Sequence, residues 1–294
     1  MKFAIFGQFY NDRNESTIKI LLDVLNQMQI AVAIEQHLYN EIKNNRGYDF
    51  KNSSISTFKK LNSTYDLLIS IGGDGTILRA VTFVRDLEIP IIGINTGRLG
   101  FLATIQEDNI KSAVECIINK KYKVSERSIL NISTSPKNQS ILDLNIALNE
   151  VTISRKNTTS MITINTELND EYLTSYWADG LIISTPTGST GYSLSCGGPV
   201  IMPESKNFVL TPIAPHNLSA RPLVIPDTTE IKLTISGRES HHLISLDSRI
   251  TTLENDTLIT IKKAPFKIKM IELNDESFLN TLRKKLLWGE DKRN

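Results

Sequence analysis

The sequence predicts an open, mainly parallel α/β domain followed by an all-β domain. Strand and helix signals alternate through roughly the first hundred residues, which is typical of a parallel sheet with crossover helices. From about Ser128 onward, short segments rich in Ile, Thr, Val and Leu replace this alternation, and helical spacing is nearly absent. We expect residues 1–127 and 263–294 to form the α/β domain and residues 128–262 to form the β domain.

The first domain is expected to contain strands and helices in alternation. The strands are KFAIFG, IAVAIE, YDLLISIGG and IPIIGIN, and the third is a continuous apolar run, as expected for a strand covered on both faces. Helical periodicity is present in ESTIKILLDVLNQM, TILRAVTFVRDL and EDNIKSAVECIINKKY. Ser16 or Thr17 is expected to cap the first of these helices.

The second half of the chain predicts strands separated by turns. These segments are SILNISTS, SILDLNIALNEVTISR, MITINTELN, EYLTSYWADGLIISTP, EIKLTISG, HHLISLDSRI and DTLITIKKA. The tail DESFLNTLRKKLLWG returns to helical periodicity, with apolar residues at Phe278, Leu279, Leu282 and Leu286. We expect this helix to pack on the first domain, because that is the simplest place for a lone helix after a β domain.

The composition argues against several classes of protein. The 294 residues carry 33 Lys and Arg against 32 Asp and Glu, without a basic stripe, so a nucleic-acid binder is not expected. No apolar run approaches the roughly 18 residues of a membrane helix. The N-terminal apolar run is too short for a signal peptide, and the two cysteines fit a reducing compartment. We therefore expect a cytoplasmic protein without membrane or nucleic-acid partners.

Metal binding by protein ligands and serine-hydrolase chemistry find no support in the sequence. Cys116 and Cys196 have no metal-type spacing, and His37 and His216 have no liganding neighbours. His241 and His242 are adjacent on a predicted strand and therefore point to opposite faces. No G-x-S-x-G elbow is present. We expect no metal site built from the chain alone.

The stretch GGDGT, residues 72–76, lies where a strand ends and a helix begins. Ligands bind at this edge of an α/β sheet, since glycines let the backbone approach a phosphate and the helix N-terminus attracts it. Asp74 would repel a phosphate unless it handles a hydroxyl proton or a metal. The alternative is a tight turn with Asp74 or Thr76 as a helix cap. Neither a P-loop motif nor G-x-G-x-x-G is present.

Three further stretches in the β half carry polar groups in an apolar frame. LIISTPTGSTGYSLSCGGPV, residues 181–200, indicates an ordered loop lining a cleft or, alternatively, a flexible linker. Asn149 and Glu150 interrupt the apolar run of ALNEVTISR, and an amide beside a carboxylate can read a base or carboxamide edge. Asp179 in YWADG precedes a strand. Simple turns are the alternative for the last two.

Together these motifs resemble those of the NAD kinase family. The resemblance includes GGDGT, NTGRLGFLA (95–103), the Asn149–Glu150 pair, DGLIISTPTGSTGYSLSCGGP (179–199), PHNLSARPLVI (215–225) and SLDSRI (245–250). It runs from near Ile5 to about Lys262. GGDGT is also found in diacylglycerol and sphingosine kinases, and phosphofructokinases have a close relative of it. The Asn-Glu pair combined with the Thr-Pro-Thr-Gly-Ser-Thr loop is the discriminating combination.

The resemblance implies a kinase that transfers the γ-phosphate of ATP to the adenosine ribose 2′-hydroxyl of NAD, giving NADP. It implies a Rossmann-like N-terminal α/β domain, an all-β C-terminal domain and a C-terminal helix that packs back on the first domain. It also implies Mg²⁺ or another divalent metal carried with ATP, and assembly as a homodimer or homotetramer.

The resemblance further implies roles for individual residues. Asp74 would be catalytic and accept the hydroxyl proton. The donor phosphates would contact Gly72, Gly73, Gly75 and Thr76. NAD would contact Asp74, Gly75, Arg79, Phe101, Asn149, Glu150, Ser160, Trp177, Asp179, Thr187, Thr190, Gly191, Tyr192, Ser193, Leu194, Ser195, Ala214 and Arg249. The chain departs from the family at Gly191, where alanine is usual, and at Ser160 and Trp177, where other polar or basic residues are frequent.

The sequence is also compatible with two other functions. One is that of a lipid or sugar kinase that shares the GGDGT loop, which would leave the Asn-Glu pair unexplained. The other is that of a non-catalytic dinucleotide sensor that keeps the pocket without turnover. The sequence leaves open the choice between ATP and polyphosphate, the preference between NAD and NADH, feedback by NADPH, and the choice between dimer and tetramer.

Overall fold

The computed structural model describes residues 1–45, 48, 55–157, 160–273 and 277–288. The chain divides into two compact units. Unit 1 comprises Met1–Glu126 and Ile268–Asn294, and unit 2 comprises Arg127–Lys267. Residues 289–294, which the sequence assigns to the first domain, lie outside the described residues.

Helices and strands are numbered in chain order. The described helices are α1 (Glu15–Gln27), α2 (Gln36–Asn44), α3 (Asp74–Val84), α4 (Ile110–Ile118), α5 (Gln139–Asp143), α6 (Tyr192–Ser195) and α7 (Phe278–Leu286). The described strands are β1 (Lys2–Gly7), β2 (Ala31–Glu35), β3 (Ile55–Phe58), β4 (Leu67–Ile71), β5 (Ile91–Ile94), β6 (Tyr122–Arg127), β7 (Leu130–Ser135), β8 (Ile146–Ala147), β9 (Glu150–Arg155), β10 (Ile162–Leu168), β11 (Glu171–Ala178), β12 (Gly180–Ser184), β13 (Asn207–Ile213), β14 (Leu223–Pro226), β15 (Ile231–Gly237), β16 (His241–Leu246), β17 (Arg249–Glu254), β18 (Leu258–Lys263) and β19 (Ile268–Leu273).

Unit 1 is built on a sheet of seven described strands in the order β3-β2-β1-β4-β5-β19-β6. The pairs β2–β3, β1–β2, β1–β4, β4–β5 and β5–β19 are parallel. Every residue of β4 is buried, as the continuous apolar run predicts. Apolar residues of α1 and α4 join those of the sheet in one core, including Leu21, Leu25, Ile69 and Val114. The predicted α/β class of this domain is confirmed.

Several local predictions in unit 1 need correction. The segment 36–44 forms α2, and β3 precedes β4, so YDLLISIGG is the fourth strand in the chain rather than the third. Ser16 and Thr17 do not cap α1, because their hydroxyls donate to Glu107 at 2.9 and 2.5 Å. Asn14 is the residue at the helix cap, and its side chain makes no capping bond.

Unit 2 is a β-sandwich. Its described strands form two sheets, in the orders β11-β10-β15-β18-β7-β8 and β14-β13-β12-β9-β16-β17. One core cluster takes apolar residues from both sheets, including Ile132, Ile164 and Leu233 from the first and Ile153 and Leu210 from the second. Buried and less buried residues alternate along β10 and β15, as expected for strands with one face toward a core. The predicted all-β class of this domain is confirmed.

Two parts of the predicted β half include helical segments. The segment 139–143, which overlaps the start of SILDLNIALNEVTISR, is the helix α5. Asn138 caps its first turn, with its side chain accepting from Ile141 N at 3.3 Å. The segment 181–200 is ordered, with a 3₁₀ turn at Thr187–Thr190 followed by α6. The linker alternative for that segment is therefore wrong.

The C-terminal helix α7 packs within unit 1, as predicted. Its Phe278 ring lies 6.3 Å from the Phe101 ring between centroids. Lys285 Nζ donates to the backbone oxygen of Leu99 at 2.6 Å. Across the described parts of the chain, none of the helices has the length and apolar character required to cross a membrane.

Candidate functional site

The GGDGT motif connects β4 to α3 at the carboxyl edge of the unit 1 sheet. Gly72 has a φ of 145°, and a methyl group there would lie 3.0 Å from Cβ of Thr76, so the turn requires glycine. A methyl group on Gly73 or Gly75 would meet no atom within 4 Å. Their backbone is therefore open to a ligand at the N-terminus of α3, an arrangement suited to phosphate.

Asp74 is the first residue of α3, and its carboxylate does not cap that helix. Oδ2 accepts from the backbone N–H of Phe101 at 2.8 Å. Oδ1 accepts from the N–H groups of Leu102 and Ala103, each at 3.0 Å. Since each carboxylate oxygen can accept two hydrogen bonds, Oδ2 retains an acceptor position beside its bond to Phe101. The helix-cap alternative for this side chain is wrong.

Asp74 is held by residues 95–103, which we call the clamp segment. Asn95 orders this segment internally, with Nδ2 donating to Arg98 O at 2.6 Å and Oδ1 accepting from Gly97 N at 2.7 Å. Gly100 lies against the carboxylate, and a methyl group there would be 2.7 Å from Cγ of Asp74. The close approach of backbone to carboxylate therefore requires glycine at this position.

In unit 2, Asn149 and Glu150 lie where β8 gives way to β9, and they are held by Asp247. The Asp247 carboxylate accepts from the backbone N–H groups of Leu148 at 2.6 Å, Asn149 at 2.8 Å and Glu150 at 3.1 Å. Asn149 Oδ1 and Glu150 Oε2 are buried, and neither has a hydrogen-bond partner among the described residues. Unpaired buried polar atoms are costly, which indicates that a polar ligand completes them.

The loop after β12 packs directly on this pair. Thr185 Oγ1 donates to Leu148 O at 2.6 Å, and the backbone N–H of Thr185 donates to Asn149 O at 2.9 Å. A methyl group on Gly191 would lie 2.9 Å from Glu150 Oε2. Thr187 Oγ1 is a third buried polar atom without a hydrogen-bond partner in the described part of the chain. The structure thus brings Asn149, Glu150, Thr187 and Gly191 to one place.

Two glycines of this loop, Gly188 and Gly191, should differ in how well they tolerate replacement by alanine. A methyl group on Gly188 would lie 2.5 Å from the backbone carbonyl carbon of Asn149 and 2.7 Å from its Cα, and backbone cannot yield cheaply. We expect Gly188→Ala to lower the free energy of unfolding by about 1–3 kcal/mol. A methyl group on Gly191 would meet the side-chain atom Glu150 Oε2 at 2.9 Å and the backbone atom Gly188 O at 3.1 Å. These contacts are less severe, so Gly191→Ala should cost less. Thermal melting of the two variants checks this, and equal losses would contradict it.

The Glu150 carboxyl has a perturbed pKa. Burial raises it first, and the nearby Asp247 carboxylate raises it further, while the backbone N–H of Tyr192 opposes both, so that the pKa reaches about 7. Arg249 Nη2 lies 4.0 Å from Asp247 Oδ2 and partly balances that charge. Glu150 therefore exists in both protonation states near neutral pH, and the protonated carboxyl can donate a hydrogen bond as well as accept one.

This shift predicts a pH dependence of stability. A folded pKa above the unfolded value favours folding at low pH, and that contribution is lost as pH rises through about 7. Glu150→Gln should therefore gain stability relative to the unmodified chain between pH 5 and pH 8. The measurement is the difference in Tm at each pH, with the exposed Glu167→Gln as control. A Tm difference for Glu150→Gln that does not change with pH would contradict the assignment.

Three other predicted site residues lie at the ends of β11, β12 and β13. Asp179 forms an ion pair with Arg155, Oδ2 to Nη2, at 2.9 Å. Trp177 is 51% exposed, and its ring lies 5.4 Å from that of His216 between centroids. Ala214 is exposed with a φ of 44°. The backbone joins them, since Trp177 O accepts from His216 N at 2.8 Å and Ile213 O accepts from Asp179 N at 3.0 Å.

The remaining predicted site residues differ in their exposure to solvent and in their location in the fold. Ser193 is buried, and its hydroxyl lies 2.8 Å from that of Thr211, which directs it into unit 2. The other members of the loop and two residues outside it differ in exposure. The exposed residues are Tyr192, Ser195 and Arg79, and the half-buried ones are Leu194, Thr190 and Ser160. Arg79 belongs to α3 in unit 1, and Ser160 precedes β10, which lies in the opposite sheet of unit 2 from β9.

Sequence reasoning missed three residues that hold the predicted site residues in position. Gly100 is part of the NTGRLGFLA motif, but its close approach to Asp74 depends on the fold. Asp247 is part of SLDSRI, where a carboxylate in a tight hairpin turn is the only available signal. Arg155 carries no sequence signal of its partnership with Asp179.

The glycine-rich loop between strand and helix in unit 1 is suited to phosphate. The incompletely paired polar cluster in unit 2 is suited to a polar ligand. These are the features expected of a nucleotide-binding phosphotransferase. Comparison with known families is specific. Residues 3–122 match the ATP-NAD kinase N-terminal domain, and residues 148–273 match the ATP-NAD kinase C-terminal domain. The chain belongs to the NAD kinase family.

Curated relatives agree over the full length. The chain is 58% identical over 294 residues to an NAD kinase of Flavobacterium psychrophilum and 58% identical over 294 residues to one of Christiangramia forsetii, covering 100% of both chains in each case. It is 41% identical over 293 residues to an NAD kinase of Bacteroides fragilis, again with 100% coverage of both.

Solved structures show the same fold. Yeast NADH kinase complexed with NADH superposes with a TM-score of 0.88 at 22% identity, covering 99% of this chain and 88% of that chain. An NAD kinase from Archaeoglobus fulgidus in complex with ATP superposes with a TM-score of 0.74 at 24% identity, covering 98% and 99%.

Proposed function

We propose that the chain transfers the γ-phosphoryl group of ATP to the 2′-hydroxyl of the adenosine ribose of NAD, forming NADP. The full-length identity of 58% to NAD kinases carries this proposal. The buried, unpaired Asn149 Oδ1, Glu150 Oε2 and Thr187 Oγ1 support a polar ligand in unit 2. The function of a lipid or sugar kinase would not explain these unpaired atoms. The function of a non-catalytic sensor would not explain Asp74.

Asp74 is proposed as the general base. A ribose hydroxyl is a poor nucleophile at neutral pH, and a positioned carboxylate can take its proton as the oxygen attacks phosphorus. The backbone N–H groups of Phe101, Leu102 and Ala103 fix both oxygens of Asp74 in place. The acceptor position left on Oδ2 is the one available to the hydroxyl.

The donor phosphates are proposed to bind at the GGDGT loop. Gly72, Gly73, Gly75 and Thr76 surround the N-terminus of α3, and Gly73 and Gly75 leave room for phosphate oxygens. A divalent cation such as Mg²⁺ would be held mainly by the phosphates and would neutralise their charge. Among the described residues, no group of three or more His, Cys, Asp or Glu side chains could hold a metal ion.

NAD recognition is proposed mainly for side chains of unit 2. Asn149 Oδ1, Glu150 Oε2 and Thr187 Oγ1 have no hydrogen-bond partner among the described residues. They offer NAD an amide oxygen, a titratable carboxyl and a hydroxyl. Asp179, held by Arg155, and the exposed Trp177 are proposed as outer contacts of the dinucleotide. The other predicted NAD contacts are retained as part of the proposal: Gly75, Arg79, Phe101, Ser160, Thr190, Gly191, Tyr192, Ser193, Leu194, Ser195, Ala214 and Arg249.

The purified full chain, incubated with ATP, Mg²⁺ and NAD, should form NADP, detected with an NADP-specific dehydrogenase. Parallel reactions with diacylglycerol or fructose 6-phosphate in place of NAD should give no phosphorylated product. Absence of NADP with ATP, other triphosphates and polyphosphate across several divalent metals would reject the proposal. NAD binding by calorimetry without any turnover would favour the sensor instead.

Assembly as a homodimer or homotetramer in the cytoplasm is also part of the proposal. Large exposed apolar side chains on and near β11, including Tyr172 at 63%, Trp177 at 51% and Leu218 at 95% exposure, support a surface covered by another copy. Light scattering on the purified chain measures the assembly directly.

A further inference from the structure

Asp247 lies in an unusual turn. β16 and β17 form a hairpin in which Leu246 pairs with Arg249, leaving Asp247 and Ser248 as the connecting residues. Both have positive φ, 47° and 68°, which defines a turn that strongly prefers Asn-Gly or Asp-Gly. Serine at the second position carries a backbone cost that glycine would avoid. The hairpin is therefore not built for turn stability alone.

The Asp247 side chain is almost completely enclosed, with 2% exposure. A buried carboxylate is expensive unless it is paired and hydrogen-bonded. Its pairing comes from the backbone N–H groups of Leu148, Asn149 and Glu150. The backbone N–H of Asp247 also donates to Glu150 O at 3.1 Å, so the two segments hold each other from both sides.

Arg249 fixes the same turn to the chain before Asn149. Nε donates to Leu246 O at 3.0 Å, and Nη1 donates to Leu144 O at 3.1 Å. Nη2 donates to Ile146 O and lies 4.0 Å from Asp247 Oδ2. The turn is thus anchored both to the Asn149–Glu150 pair and to the residues that precede it.

A second hairpin in unit 2 has a turn with the same signs of φ but an exposed carboxylate. Asn169 and Asp170 connect β10 to β11 with φ values of 52° and 66°. There the aspartate forms an ion pair with Lys232 and is 74% exposed. The same turn type is therefore present in the fold with its carboxylate at the surface, and the inward carboxylate of Asp247 is a separate feature.

We propose that Asp247 is a positioning residue for NAD binding: its carboxylate fixes the backbone of 148–150 so that the unpaired Asn149 Oδ1 and Glu150 Oε2 face the ligand. This rests on the proposed function only in naming NAD as that ligand. In an asparagine variant, one acceptor oxygen becomes an NH₂ group that faces a backbone N–H. The peptide of 148–150 then loses its fixed orientation, although the turn itself tolerates asparagine well.

The test uses Asp247→Asn and the double variant Asp247→Asn with Ser248→Gly. The double variant places Asn-Gly, the preferred pair, in the turn, so it protects the hairpin if the single variant folds poorly. Asp170→Asn is the matched control, since it makes the same chemical change in the same turn type at the surface. All are made in the full chain.

NAD affinity is measured by calorimetry, together with KM for ATP, Tm, and amide hydrogen exchange at Asn149 and Glu150. The double variant should keep a Tm near that of the unmodified chain, bind NAD roughly 10–100-fold more weakly, and exchange faster at both amides. KM for ATP should stay within about twofold, a split that general destabilisation would not produce. Asp170→Asn should change none of these.

Unchanged NAD affinity in a folded double variant would overturn the proposal, as would an equal loss for ATP and NAD. These outcomes are separate from failure of the proposed function. If the unmodified chain binds NAD but forms no NADP, the kinase proposal fails, whereas the affinity and exchange measurements still decide the role of Asp247.

Discussion

Replacing Asp74 by asparagine should lower kcat by roughly 10²–10⁴-fold, the range that a general base usually contributes. The carboxamide has nearly the same size, but it cannot take a proton from the ribose hydroxyl. NAD affinity should change far less, because the unpaired atoms proposed to hold NAD belong to unit 2. The measurements are kcat with saturating ATP and NAD, and NAD affinity by calorimetry.

The control for this variant is Asp86→Asn, which makes the same chemical change at an exposed position just after α3. It should leave kcat unchanged. The asparagine at position 74 also replaces one acceptor of the backbone N–H groups by a donor, so the clamp segment will shift as well. A kcat close to that of the unmodified chain would therefore refute both the base role and the importance of the clamp.

Gly100→Ala should lower kcat by roughly 10²-fold while leaving the Asp74 carboxylate chemically intact. The new methyl group would lie 2.7 Å from Cγ of Asp74, so either the carboxylate or the clamp segment must move. A displacement of about 1 Å is enough to cost a factor of this size when a reacting group must be aligned. Steady-state kinetics with both substrates saturating provides the measurement.

Gly97→Ala is the matched control in the same segment. A methyl group there meets only Asn95 Oδ1, at 3.9 Å, which is ordinary contact. It should retain nearly full kcat and a similar Tm. Equal kcat values for the two variants would show that the position of the Asp74 carboxylate is not set by this packing, and that the clamp segment has no part in the rate.

The location of the first motif is predictable from the sequence, but its internal contacts are not. A buried apolar strand, three glycines and a helical pattern indicate a ligand loop at the edge of a parallel sheet. The donors to Asp74 are backbone N–H groups 27–29 residues further along the chain, and backbone groups carry no sequence signal. The sequence therefore allows Asp74 to be a helix cap or a base, and only the fold excludes the cap.

The same reason explains what sequence reasoning missed in unit 2. Asp247 contacts residues 97–99 positions earlier in the chain, and its sequence context indicates only a turn between two strands. The short helix α5 lies in a segment rich in Ile, Leu and Asn, where apolar content alone favours a strand. The fold classes of the two units are predictable because they depend on long, repeated sequence patterns. The contacts of Asp247 depend on pairing between segments that are distant in the chain.

A crystal structure of the chain with NAD and a non-hydrolysable ATP analogue tests the central claim most directly. We predict that Oδ2 of Asp74 lies roughly 2.6–3.2 Å from the 2′-oxygen of the adenosine ribose, directly or through one water. The carboxylate should keep its bonds to the clamp segment. A bound NAD whose 2′-oxygen lies beyond hydrogen-bond reach of Asp74, with no bridging water and with another side chain in that place, would contradict the account.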